Sequence, residues 1–108
     1  MTQNFARAAL SAALCSSLLM VSALAAAGPI EDGVNLLEAQ RYAEATKLFQ
    51  KEAAKDNPRA MYYLGDMLNQ GLGTHRQPLS ATVWWEKGAY LGDVDCQLAL
   101  ASAYRAGL

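Results

Sequence analysis

Few side chains in this sequence are of a type and spacing that could do chemistry. His75 is the sole histidine. It stands in the polar stretch Gly71 to Pro78, beside Arg76, and no cysteine or carboxylate lies at a metal-ligand spacing from it. A solvent-facing loop histidine is the expectation. The two cysteines, Cys15 and Cys96, are too few for a disulfide framework or a four-ligand zinc site. Cys96 takes the place of Ala60 in the repeat described below, so a small buried residue is needed there. A reactive thiol would need an exposed, electropositive setting. Glu86 and Asp93 have no spacing that marks a pair of catalytic carboxylates. Gly71-Leu72-Gly73 lacks the downstream glycine and the preceding strand of a phosphate loop. Trp84-Trp85 could stack on a ligand, but both fall on an apolar helical stripe, which assigns at least one to the core. Lys47, Lys51 and Lys55 form a row at i, i+4, i+8. It could attract an acidic partner or an anionic surface, but beside Glu44, Glu52 and Asp56 it reads as a solvated face. No catalytic residue, metal site or cofactor emerges.

Nor does the charge point to nucleic acid. The 108 residues carry 9 Lys+Arg against 10 Asp+Glu, a net charge of −1, without the basic excess such a partner requires. Residues 1–27 contain no acidic residue and one basic residue, Arg7. A short polar start is followed by an Ala/Leu-rich run from Ala8 to Leu24 and then by Ala23-Leu24-Ala25-Ala26-Ala27. This is the three-part layout of a secretory signal peptide, with cleavage after Ala25 or Ala27. Ala8 to Ala27 is about long enough to span a membrane. Its alanines and serines contribute little to insertion, however, and Gly28-Pro29 breaks the helix, so a cleaved signal is preferred to an anchor. Leu14 before Cys15 excludes a lipoprotein signal. The expected mature chain is periplasmic or secreted, has no membrane span, and keeps Cys96 as its one cysteine.

The remainder repeats itself. Residues 37–72 laid over 73–108 give seven identities at an offset of 36, among them Ala45/Ala81, Lys51/Lys87, Leu64/Leu100 and Gly71/Gly107. Phe49/Trp85 and Ala60/Cys96 are similar pairs. The matches fall on positions a helix would bury. Ala60, Leu64, Met67 and Leu68 share one spacing with Cys96, Leu100, Ala103 and Tyr104. Ala81, Trp84, Trp85, Gly88 and Ala89 run i, i+3, i+4, i+7, i+8. Ala45, Leu48, Phe49 and Ala53 do the same, with Glu52 as the exception. No stretch alternates with period two. Asn57-Pro58, Gln77-Pro78 and Asp93 mark helix starts, and Gly71 and Gly92 mark helix ends. Helices are predicted at about 30–39, 43–55, 58–70, 79–91 and 94–106, an all-α chain of stacked antiparallel hairpins. Small residues (Ala60, Gly65, Ala81, Gly88, Ala89) would let helices approach, and Trp84, Trp85, Phe49 and Tyr104 would fill the wider gaps.

Ala60-Met61-Tyr62-Tyr63-Leu64-Gly65, Met67-Leu68, Gly71-Leu72-Gly73, Ala81, Trp84-Trp85, Lys87, Ala89 and Gly92-Asp93 together resemble one full Sel1-like repeat, a relative of the tetratricopeptide repeat. On this reading 1–27 is the signal peptide and 28–58 a tetratricopeptide-like hairpin in which Gln40-Arg41-Tyr42-Ala43 opens the second helix. Residues 59–93 form the Sel1-like repeat, and 94–108 the first helix of an incomplete second one. Gly88 departs from the usual alanine, at a cost of about 1 kcal/mol in helix propensity. Pro78-Leu79 also departs from the pattern.

The resemblance implies a short α-solenoid acting as an interaction scaffold, with a protein or peptide bound on the concave side lined by the first helix of each hairpin. The candidate contact residues are then Arg59, Tyr62, Tyr63, Asp66, Asn69 and Gln70, followed by Asp95, Gln97, Ser102 and Arg105. Tyrosine and arginine are the expected anchors. Cysteine-rich members of the family are linked to β-lactam binding and hydrolysis and carry paired cysteines bridging the two helices of each repeat; a secreted enzyme of that type is the alternative reading, and the absence of such pairs from the expected mature chain counts against it. With Leu98, Leu100, Ala103 and Tyr104 uncovered by a further helix, three outcomes are expected: self-association through 94–106, marginal stability, or a truncated, non-functional repeat fragment.

Overall fold

The computed structural model describes residues 28–107. The expected signal peptide, 1–27, and the repeat match at Leu108 lie outside them. Five helices follow in order: α1 (Pro29–Glu38), α2 (Tyr42–Ala53), α3 (Pro58–Gln70), α4 (Pro78–Tyr90) and α5 (Val94–Arg105). Among the described residues there is no strand, and no helix is long and apolar enough to cross a membrane. The predicted spans differ from these by at most two residues at either end.

The starts and stops have local causes. Proline occupies the first turn of α1, α3 and α4, where no amide partner is needed. Asn57 caps α3 by accepting from the Arg59 amide at 3.1 Å, and Asp93 caps α5 by accepting from the Cys96 amide at 2.9 Å. Gln77 makes no side-chain cap. Its own amide nitrogen donates to the Leu68 carbonyl at 2.8 Å, which pins the loop to α3. Gly71 ends α3 at φ +73°, a conformation that a side chain would strain.

Contacts between consecutive helices run in opposite directions. Thr46 meets Met67 while Phe49 stacks on Tyr63, and Glu86 meets Tyr104 while Ala89 meets Gln97. The helices are therefore antiparallel neighbours, and α3 packs on α2, α4 and α5. Ala45, Phe49, Ala53, Ala60, Met61, Leu64 and Met67 form one buried cluster, and Ala81, Trp85, Cys96 and Ala103 form a second. The Phe49 ring lies over Gly33 of α1, and the Trp85 indole lies over Gly65 of α3, each so close that a Cβ on the glycine would overlap the ring. Gly65 thus makes room for an aromatic side chain, where the sequence predicts a close backbone approach.

Other side chains depart from their predicted places. Tyr104, placed in the buried stripe, is 55% exposed, and its hydroxyl donates to Glu86 at 2.9 Å. Glu52, the polar exception in the α2 stripe, is buried nonetheless, and Lys55 neutralises it at 3.2 Å. Of the tryptophan pair, Trp85 is core and Trp84 is half-buried. Gly88 has a packing reason: a Cβ there would strike the Cys96 sulfur.

Candidate partner-binding surface

Residues of α1, α3 and α5 line two clefts, and Arg59, in the first turn of α3, reaches from one of them to the start of α5. The Asn57 cap and Pro58 fix the first turn of α3, so Arg59 projects toward the start of α5. Its Nη1 donates to Asp95 Oδ2 at 2.5 Å and to Asp93 Oδ2 at 3.3 Å. Asp93 is largely buried and also caps α5, so one carboxylate serves both helices. The guanidinium lies over the Tyr62 ring at 5.1 Å and the Tyr63 ring at 5.5 Å, within cation–π range. Tyr62 meets Tyr63 edge-on at 5.2 Å, and Tyr63 stacks on Phe49 at 5.1 Å. The ridge is thereby tied to the core.

Electrostatics hold this ridge in one state. Burial opposes the Arg59 charge, but hydrogen bonds to Asp95 and Asp93 outweigh it and raise the pKa, so the guanidinium stays charged. Burial, reinforced by Asp66, raises the pKa of the Tyr62 phenol and keeps it a neutral donor. Burial also pushes the Cys96 thiol up to about 12, with Asp93 adding to it. Its sulfur rests 3.7 Å from the Pro58 carbonyl. This is an inert packing thiol, not a nucleophile.

The ridge separates two clefts. One, of about 560 Å³, lies between α1 and α3 and is lined by Arg59, Tyr63, Glu31, Asn35 and Asn57. The other, of about 280 Å³, lies between α3 and α5 and is lined by Tyr62, Asp66, Asn69, Arg76 and Ser102. Alanines 99, 103 and 106 on its α5 wall leave the space open.

Of the ten residues expected at a partner surface, Arg59, Tyr62, Tyr63, Asp66, Asn69 and Ser102 line these two clefts. Asp95 is engaged by Arg59. The other three lie apart. Gln70 is exposed at the end of α3 and donates to Asp66 at 2.8 Å. The Gln97 side chain donates to the Ala89 carbonyl of α4 at 3.4 Å, away from the cleft. Arg105 is exposed and lines neither cleft. Sequence reasoning missed Arg76, whose Nε donates to the Asn69 carbonyl at 2.8 Å and which lines the smaller cleft. It also missed Glu31 and Asn35, although the rule that first helices line this side applies equally to α1. His75 is exposed in its loop, and among the described residues no His, Cys, Asp or Glu cluster could hold a metal ion.

The arrangement offers aromatic faces, a fixed cation, and amide and hydroxyl groups around two open clefts. A scan against protein-family models finds no match, and searches of curated proteins and of solved structures find none either.

Proposed function

We propose that this chain is an exported, non-catalytic interaction scaffold of the Sel1-like, tetratricopeptide-related kind. It is a short α-solenoid that works in the periplasm or outside the cell after loss of residues 1–27. Its partner is a protein or peptide laid across α1, α3 and α5. One observation carries this reading: Tyr62, Tyr63 and Arg59 form a pre-organised ridge between two open clefts. Rigid aromatic and arginine side chains next to a cleft are the usual anchors of a protein interface, because ordering them on binding costs little. The Arg59–Asp93 pair and the Phe49–Tyr63 stack supply that rigidity.

Photo-cross-linking in an exporting cell tests it. A photoreactive residue at position 62 or 102 is expected to capture one discrete partner, and the same residue at Gln40, in the α1–α2 turn, is not. Tyr62→Ala should abolish capture from position 102 while leaving the helical signal intact. Equal capture from all three positions, or none from 62 and 102, would refute the scaffold surface.

A further inference from the structure

We propose a second docking site, independent of the Arg59 surface, in the cleft bounded by α2, α3 and α4, and we assign it to an acidic amphipathic peptide segment. The cleft measures about 300 Å³ and shares no lining residue with the two clefts described above. Leu64, Met67 and Leu68 of α3 form its floor, Trp84 of α4 one wall, and Lys47 and Gln50 of α2 the other.

Lys47 is the sole charged residue of the lining. Lys87, which is not part of this lining, places its Nζ 5.5 Å from the centre of the Trp84 ring. Neither lysine joins an ion pair among the described residues: Glu44 is taken by Arg41 and Glu52 by Lys55. Lys51, one turn beyond Lys47, is exposed as well. The Thr46 hydroxyl at the wall already donates to the Tyr42 carbonyl at 2.8 Å, which leaves Gln50 and Thr74 as the other polar uncharged side chains of the lining.

A largely apolar trough with one lysine in its lining and a second beside its Trp84 wall discriminates by charge. An amphipathic helix that seats one or two aliphatic or aromatic side chains against Leu68, Leu72 and Trp84, the partly exposed apolar residues of the lining, would bring its flanking residues to Lys47 and Lys87. Carboxylates there gain, whereas lysines meet like charge. The volume is at the lower end of ligand pockets and suits side chains of a peptide rather than a large cofactor. The row Lys47, Lys51, Lys55 therefore divides. Lys55 neutralises Glu52, and Lys47 is left facing the cleft.

The test titrates the intact chain with two synthetic amphipathic helices of equal length and equal leucine content. One carries glutamates beside the leucine face and the other lysines. Trp84, half-exposed at the cleft, reports by fluorescence. The acidic peptide should bind saturably and shift the emission. The combined Lys47→Glu and Lys87→Glu variant, both changes at surface positions, should weaken that binding at least tenfold, and added salt should weaken it too. Tyr62→Ala should leave it unchanged. Equal affinity for both peptides, undiminished binding to the double variant, or no binding up to about 1 mM would overturn the assignment. So would adsorption to anionic lipid vesicles in preference to the peptide. Loss of binding in Tyr62→Ala would move the site to the Arg59 ridge, sinking this proposal and leaving the scaffold reading intact.

Discussion

Cys96 shows how a single residue carries both packing and pH dependence. Its side chain is fully buried, and Gly88 leaves it just enough room. Burial first, and Asp93 second, raise its pKa to about 12, whereas the unfolded thiol titrates near 8.5. Between these values the unfolded chain has lost a proton that the folded chain keeps. The folded state thus binds more protons, and stability must fall as pH rises through this window. A loss of about 2–3 kcal/mol between pH 8 and 10.5 is expected from this group alone. Urea denaturation at the two pH values, with Cys96→Ala alongside, isolates it, because Tyr62 shifts in the same direction in both proteins. Alanine is smaller than cysteine, so the substitution adds no overlap at this site. If both proteins lose the same stability, Cys96 is not the source. Arg59 makes the opposite use of its surroundings. Three carboxylate oxygens share its Nη1, so its charge persists across this range and the ridge does not titrate with it.

At the level of helices, a ring-over-glycine contact recurs: Phe49 on Gly33 locks α1 to α2, and Trp85 on Gly65 locks α3 to α4. The Trp85 indole also donates to the Tyr62 carbonyl at 3.2 Å, which fixes its orientation. Gly65→Ala should therefore destabilise by about 1–3 kcal/mol through overpacking. Helix propensity alone predicts a gain of about 1 kcal/mol. The sign of the change in urea midpoint decides between the two. The double variant Gly65→Ala with Trp85→Leu should recover part of the loss relative to Trp85→Leu alone, since the overlap is gone. The sequence made Phe49 and Trp85 visible as partners at offset 36, but not their glycines. The turn after α1 spans 39–41 and that after α3 spans 71–77. The longer second turn puts Gly33 and Gly65 out of phase with the offset, so the slide that pairs the two rings cannot also pair their glycines. Helix ends were legible because Asn57, Asp93, Gly71 and the prolines act locally. The Arg59–Asp95 pair and the seat of Arg76 were not, because they join residues whose proximity exists only after the helices pack.

At the scale of the described residues, two cores meet on α3. The larger cluster fixes α3 to the first hairpin with an aromatic, two methionines and a leucine. The smaller holds α5 through Cys96 and Ala103 against Trp85 and Ala81, while Leu98 and Tyr104 remain more than half exposed. Two clusters joined through one helix need not open together, because stability is distributed unevenly over a structure. Opening α5 uncovers the smaller cluster alone and breaks the Asp93 and Asp95 links to Arg59 and the Tyr104–Glu86 and Gln97–Ala89 hydrogen bonds. Opening α3 disrupts both clusters. Native-state hydrogen exchange in rising urea should resolve the difference, with α5 amides exchanging through an opening at least about 2 kcal/mol cheaper than that of α3 amides. A single isotherm shared by both helices at every urea concentration would mean one cooperative unit and would remove the two-core account. The distinction also bears on binding. The wall of the smaller cleft that carries Ser102 belongs to α5, so each opening of α5 dismantles that cleft. A partner seated there binds only the closed form, and its saturation should slow exchange in α5 more than in α2.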